Sequence, residues 1–134
     1  MKHTTKALIT GLMLGAVVFA GCSSSTGTLE TVSPNDAAAV IAAESDEVIL
    51  DIRTPDEFSD GIIEGAINID FYEASFADDL DKLDKDAHYV VYCRSDNRSG
   101  QAMSTFADLG FTHVTEIDGG IASWYETGLP VVLP

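Results

Sequence analysis

The chain has 134 residues, 46% of them hydrophobic, which is enough apolar material for one folded domain and argues against a low-complexity disordered chain. Its 22 acidic side chains against 7 Lys and Arg give a net charge of -15, which excludes a nucleic-acid binder, because neutralising phosphates requires clustered cations. Two cysteines are too few for a disulfide-stapled scaffold or for a zinc site built of several thiolates.

The first segment reads as an address rather than as part of the fold. Lys2 and Lys6 precede an apolar run over residues 7–20, and its 14 residues fall short of the roughly 20 that a spanning helix needs, so the run is a signal peptide. Phe19-Ala20-Gly21-Cys22 at its end resembles the bacterial lipobox, which implies that Cys22 becomes a lipidated N-terminus. The expected organisation is a signal peptide over residues 1–21, a lipidated N-terminus and flexible tether over 22–28, and a domain over 29–134. Cleavage before Cys22 leaves 113 of the 134 residues, and loss of Lys2 and Lys6 moves the charge from -15 to -17. Anionic lipid repels such a surface, so attachment rests on acyl chains. The expected location is extracytoplasmic and membrane-anchored. Ser23 is not the Asp that resembles an inner-membrane retention signal, which leans toward the outer membrane. Lipidation of Cys22 leaves Cys93 as a lone thiol where a structural pair would be usual, and so a candidate for chemistry.

Short apolar runs then alternate with capped amphipathic stretches, the pattern of a parallel sheet covered by helices. Residues 29–32 predict a first strand. Ser33-Pro34 supplies an N-cap and a first helical residue, and Ala37, Val40 and Ile41 share one face of a helix over 34–44. Residues 48–52 are apolar on both faces, as a buried parallel strand requires. Thr54-Pro55-Asp56-Glu57 is a capping box. A third strand is predicted over 66–69 and a helix over 73–83 whose Asp78, Asp79 and Asp81 face water. The acidic stretch reaching Asp86 lacks the turn Gly of an EF-hand loop, and no metal is expected. A fourth strand over 88–92 runs into Cys93. A helix over 99–109 has Ala102, Met103, Phe106 and Leu109 on one face and stops at Gly110. Residues 114–117 form the last strand, and Gly119-Gly120 turns into a short helix bearing Trp124.

The informative segment is the loop Cys93-Arg94-Ser95-Asp96-Asn97-Arg98-Ser99. Ligands of an open parallel sheet bind at the carboxyl ends of its strands, where Cys93 sits. Loop N–H groups and the first turn of the next helix form an anion cradle, and Arg94 and Arg98 add full charges. A helix N-terminus stabilises an anion by up to ~2 kcal/mol, which takes a thiol from about 8.5 to about 7. His88 and His113 open strands at the opposite edge, roughly 16 Å away along five strand residues, so the thiol must be ionised by its loop and not by a histidine. Asp51 and Arg53 end the second strand beside Cys93 and read as an ion pair bracing the loop.

Taken in order, these segments resemble a rhodanese-homology domain over roughly residues 29–130. Leu50-Asp51-Ile52-Arg53-Thr54-Pro55-Asp56-Glu57-Phe58 is similar to that family's Asp-x-Arg-x-x-x-Glu-Phe segment, and Gly65-Ala66-Ile67-Asn68-Ile69 to its Gly-Ala-x-Asn-Ile. Residues 93–98 resemble its active loop, and Asp118-Gly119-Gly120, Trp124, Gly128 and Pro130 its closing pattern. Gly61-Ile62-Ile63-Glu64-Gly65-Ala66 departs from the usual Gly-His-Ile-Pro-Gly-Ala, and Asp96 stands where Gly is frequent. The resemblance implies an α/β three-layer sandwich, a five-stranded parallel sheet with helices on both faces, and a cysteine that carries sulfur as a persulfide. Four residues separate Cys93 from Arg98, similar to sulfur-transferring members, whereas related phosphatases and arsenate reductases resemble Cys-x5-Arg. The expectation is a monomeric sulfurtransferase without a cofactor. Cys93 would take sulfane sulfur from a small anionic donor such as thiosulfate, held by residues 94–99, and pass it to cyanide or a thiol. A lipoprotein that binds sulfide, persulfide or a partner without turnover stays open as the alternative.

Overall fold

The computed structural model describes residues 27–43 and 45–134; the expected signal peptide, Cys22 and most of the tether lie outside the described residues. Strands and helices alternate strictly: β1 (Thr28–Val32), α1 (Pro34–Ala43), β2 (Val48–Asp51), α2 (Pro55–Ser59), β3 (Ile67–Asn68), α3 (Phe76–Asp81), β4 (His88–Tyr92), α4 (Asn97–Asp108), β5 (His113–Ile117) and α5 (Gly120–Glu126). The five strands form one parallel sheet in the order β1-β5-β4-β2-β3. None of the helices described is long and apolar enough to cross a membrane.

The alternation of side chains along the central strands divides the core in two. Tyr89, Val91 and Cys93 of β4 and its loop point with Leu50 toward Phe76 and Leu80 of α3 and Ala102 and Phe106 of α4. Val90 and Tyr92 point with Ile49 and Ile117 toward Ala37 of α1 and Ile121 and Trp124 of α5. Both faces of the sheet are thereby covered, which is why Val48-Ile49-Leu50 of β2 and Tyr89-Val90-Val91-Tyr92 of β4 are hydrophobic without a break.

Local chemistry sets the boundaries. Ser33 Oγ accepts from the Asp36 N–H at 3.2 Å and opens α1, and Thr54 with Glu57 forms the reciprocal capping box of α2. Three elements differ from the sequence expectation by more than a single residue in all. β3 pairs over two residues only, Leu50 with Ile67 and Asp51 with Asn68. α3 starts at Phe76 and not at 73, because the Asp70 carboxylate takes the Tyr72 N–H and the Asp70 carbonyl takes the Glu73 N–H, which commits the backbone to turns. α4 begins at Asn97, two residues before the expected start, since Asp96 adopts a left-handed conformation (φ 69°) and swings the chain straight into the helix.

Candidate active site

The order of strands creates the site. After β2 the chain moves outward to β3, and after β4 it moves the other way to β5, so the loops that follow these two adjacent strands part and leave a crevice above their carboxyl ends. A cleft of about 460 Å³ lies there, lined by Glu57, Tyr72, Arg94, Ser95, Asn97 and Arg98. Cys93 sits beneath it, 1% exposed.

The loop is held open from behind. Ile121 and Ala122, in the first turn of α5, donate their N–H groups to the carbonyls of Cys93 and Arg94 at 2.9 and 3.1 Å. With those carbonyls turned toward α5, the N–H groups of Ser95, Arg98 and Ser99 are left to point at the Cys93 sulfur. Gly120 makes this approach possible, because a Cβ there would stand 2.5 Å from the Cys93 carbonyl oxygen.

Burial pushes the Cys93 thiol up, but the Ser99 hydroxyl and the backbone N–H groups of Ser99, Ser95 and Arg98 outweigh it, and the net shift is below the ordinary thiol value. Ser99 Oγ lies 3.5 Å from Cys93 Sγ. His88 and His113 sit at the start of β4 and β5, at the far edge of the sheet, with ring centroids 6.2 Å apart.

The predicted site residues separate into groups. Arg94, Ser95 and Asn97 line the cleft with exposed side chains. Arg98 lines it too, but its guanidinium is committed to Glu57, with Nη1 and Nη2 donating to Oε2 and Oε1 at 2.7 and 2.8 Å. That bidentate pair holds the Glu57 carboxyl at about 2, against an ordinary 4.5, and raises Arg98. The full charge expected of Arg98 in the cradle is therefore largely neutralised. Arg98 also lies over the ring of Tyr72, 5.4 Å from its centroid. The Asp96 carboxylate turns toward the neighbouring β5-α5 corner, where Oδ2 accepts the Gly119 N–H at 3.3 Å.

Asp51 and Arg53 form a buried pair, Arg53 Nη2 to Asp51 Oδ2 at 2.6 Å. Burial lowers the Arg53 value, but the Asp51 carboxylate more than offsets it. Arg53 Nη2 also donates to the Gly61 carbonyl at 2.7 Å, and Asn68 Nδ2 donates to the carbonyls of Asp51 and Arg53. The link to the cysteine loop runs through Tyr92, whose ring lies under the Arg53 guanidinium at 5.6 Å and whose carbonyl accepts the Ile52 N–H.

Two carboxylates at the site were not singled out from the sequence. Glu57 was read only as a capping residue, although its place in the Glu-Phe segment marked it. Glu116, buried behind Ser99, was legible as the one acid within the predicted strand 114–117.

Comparison with known proteins agrees with this geometry. The family model described as a rhodanese-like domain matches residues 33–127. A sulfurtransferase of Allochromatium vinosum is 35% identical over 94 residues, covering 70% of this chain and 86% of that protein. The thiosulfate sulfurtransferase GlpE of Pseudomonas entomophila is 36% identical, with 72% and 84% covered. Among solved structures, a rhodanese-related protein from Thermoplasma volcanium superposes with a TM-score of 0.70 at 33% identity, covering 79% of this chain and all of that one. The chain belongs to the rhodanese-like domain family.

Proposed function

We propose that this protein is a sulfurtransferase that carries sulfane sulfur on Cys93. The observation that supports it best is the convergence of three backbone N–H groups and the Ser99 hydroxyl on a buried sulfur beneath a cleft rimmed by Arg94. In the first half-reaction the Cys93 thiolate attacks the outer sulfur of a thiosulfate-like donor. The donor S–S bond breaks, sulfite leaves with the electron pair, and Cys93 becomes a persulfide. In the second, cyanide or a thiolate attacks the outer persulfide sulfur and the Cys93 thiolate is regenerated. Arg94 and the side chains of Ser95 and Asn97 hold the donor's oxygens, while the loop amides stabilise charge on the sulfur that leaves or receives the pair. A site 1% exposed favours a donor that delivers a single sulfur atom over a bulky one.

We further propose that the domain works outside the cytoplasm on a lipid anchor at Cys22. Radiolabelled fatty acid should enter the wild-type chain and not Cys22→Ser.

Intact mass of the protein after thiosulfate treatment tests the sulfur carrier directly. The wild type should gain one sulfur and turn over with cyanide, and Cys93→Ser should do neither while keeping its fold, because a hydroxyl ionises too weakly to attack sulfur. Turnover retained in Cys93→Ser would refute the mechanism.

A further inference from the structure

The cleft above Cys93 is larger than the sulfur-transfer scheme requires. At about 460 Å³ it has the size of pockets that enclose a whole organic ligand, whereas thiosulfate and cyanide are ions of a few atoms. One side chain of its lining, Tyr72, has no task in that scheme. It belongs to the segment between β3 and α3, so the cleft has one wall from the cysteine loop and another from a separate part of the chain.

Tyr72 is 69% exposed, a large share for an aromatic side chain, yet its position is fixed. Its N–H donates to Asp70 Oδ1 at 2.9 Å, which sets the turn. Its ring meets that of Phe71 edge-on, 5.6 Å between centroids, and Phe71 in turn meets the buried Phe76 at 5.2 Å. The Arg98 guanidinium, itself held by Glu57, lies over the Tyr72 ring. An aromatic surface left in water and held from two sides is ordered before any ligand arrives, so little freedom is lost when one binds.

The two half-reactions make different demands on this space. The sulfite part of a thiosulfate-like donor stays at the loop, against Arg94, Ser95 and Asn97. Cyanide reaches the persulfide as a diatomic ion. A thiol brings a carbon chain, and because Cys93 is buried that chain has to extend outward along the cleft. Arg94 is exposed and in no ion pair among the described residues, so it is the cation open to the acceptor once sulfite has left.

We propose that Tyr72 and Arg94 form an acceptor subsite that selects a small thiol carrying a carboxylate, with the carboxylate on Arg94 and the carbon chain against the Tyr72 ring. The inference rests on the proposed sulfur transfer and names its second substrate. The acceptor thiolate attacks the outer sulfur of the protonated Cys93 persulfide. The S–S bond to Cys93 breaks, its electron pair stays on Cys93 Sγ, and the acceptor leaves as a persulfide with the transferred sulfur and its proton. One negative charge enters on the acceptor and one remains on Cys93, and no other oxidant or reductant takes part. Tyr72 touches the chain of the acceptor and not the reacting sulfur, so it determines specificity among acceptors.

The experiment uses the full chain loaded with thiosulfate and freed of donor, and it follows the second half-reaction alone with 3-mercaptopropionate, with neutral 3-mercaptopropanol and with cyanide. Thiol rates are compared per concentration of thiolate at about 0.1 M salt, where the field of the acidic surface is screened within about 10 Å. The wild type should favour 3-mercaptopropionate over 3-mercaptopropanol by about threefold or more, on the order of one exposed ion pair. Tyr72→Ala should lower the ratio of the 3-mercaptopropionate rate to the cyanide rate by roughly fivefold, on the order of one lost aromatic contact, and Tyr72→Phe should keep the wild-type ratio. Tyr72→Gln, which keeps length without a ring, replaces Tyr72→Ala should that variant not fold, with the same loss expected.

A neutral thiol used as fast as the carboxylate would overturn the proposal. So would thiol and cyanide rates that fall together in Tyr72→Ala, because the ring would then only brace Arg98. A wild type that gains no sulfur from thiosulfate would refute the sulfur-carrier reading and this inference with it, whereas a loaded protein whose ratios ignore Tyr72 refutes the inference alone.

Discussion

The Arg98–Glu57 pair ties α2 to the helix that follows the cysteine, so its removal should be felt in stability as a function of pH. Glu57→Gln keeps the size and part of the capping of Thr54 but removes the charge. A carboxyl lowered from 4.5 to about 2 corresponds to roughly 3 kcal/mol of linkage. Glu57 is 27% exposed and Arg98 10%, so water screens part of this, and a cost of about 1–2 kcal/mol near neutral pH is the expectation. The folded-state value is depressed, so the contribution is complete above the unfolded value and is lost as pH falls through about 2. Roughly six-tenths of it should be gone at about pH 3. Urea unfolding followed by Trp124, the one tryptophan and a buried one, gives both proteins' stability between those conditions. The gap between wild type and Glu57→Gln should shrink by more than half on going from neutral pH to about pH 3. A gap that stays constant would show that the pair contributes shape and not charge.

Gly120→Ala drives a Cβ to 2.5 Å from the Cys93 carbonyl oxygen and 2.7 Å from Arg94, at a φ of +61°. It should cost about 2 kcal/mol or more and reduce sulfur transfer at least tenfold, on the order expected for a strained backbone at a reacting group; unchanged urea midpoint and turnover would refute the backing role given to α5. Asp96→Gly trades relief of a left-handed non-glycine residue for the 3.3 Å bond to Gly119, so stability should change by less than ~1 kcal/mol. Loss of its negative charge near the cleft should lower the KM for thiosulfate, and a raised KM would mean that the Gly119 contact sets the loop's shape.

What the sequence showed depended on the distance over which each feature is determined. The apolar runs of β2 and β4, the amphipathic face of α4 and the capping box at Thr54 are local, and the structure has them within a residue or two. The limits of β3 and α3 were less legible, because Asn68 and Asp70 spend side-chain bonds on backbone groups that regular structure would otherwise use. The start of α4 depended on one residue, Asp96, entering the left-handed region. At the site, Cys93 and its loop were visible as a contiguous motif. The partner of Arg98 lies 41 positions away and that of Ser99 lies 17 away, so both pairs exist only once β2, β4 and β5 are set side by side. Counting cations in the loop accordingly overstated its positive charge.

That correction changes how an acidic protein holds an anion. Around the cleft the arginines are neutralised in pairs, Arg98 by Glu57 and Arg53 by Asp51, and Arg94 is the loop cation in no ion pair among the described residues. The attraction for a negative group at Cys93 therefore comes chiefly from backbone dipoles, fixed in direction because α5 occupies the carbonyls behind them. Dipole fields fall off faster with distance than the field of a net charge of -15, which at about 0.1 M salt is itself screened within about 10 Å. An approaching donor thus meets repulsion first and attraction only at contact. Such a site gains little from long-range steering and discriminates by what fits against the amides, which suits a reaction in which one sulfur atom must reach a buried thiolate while the rest of the donor stays in the cleft.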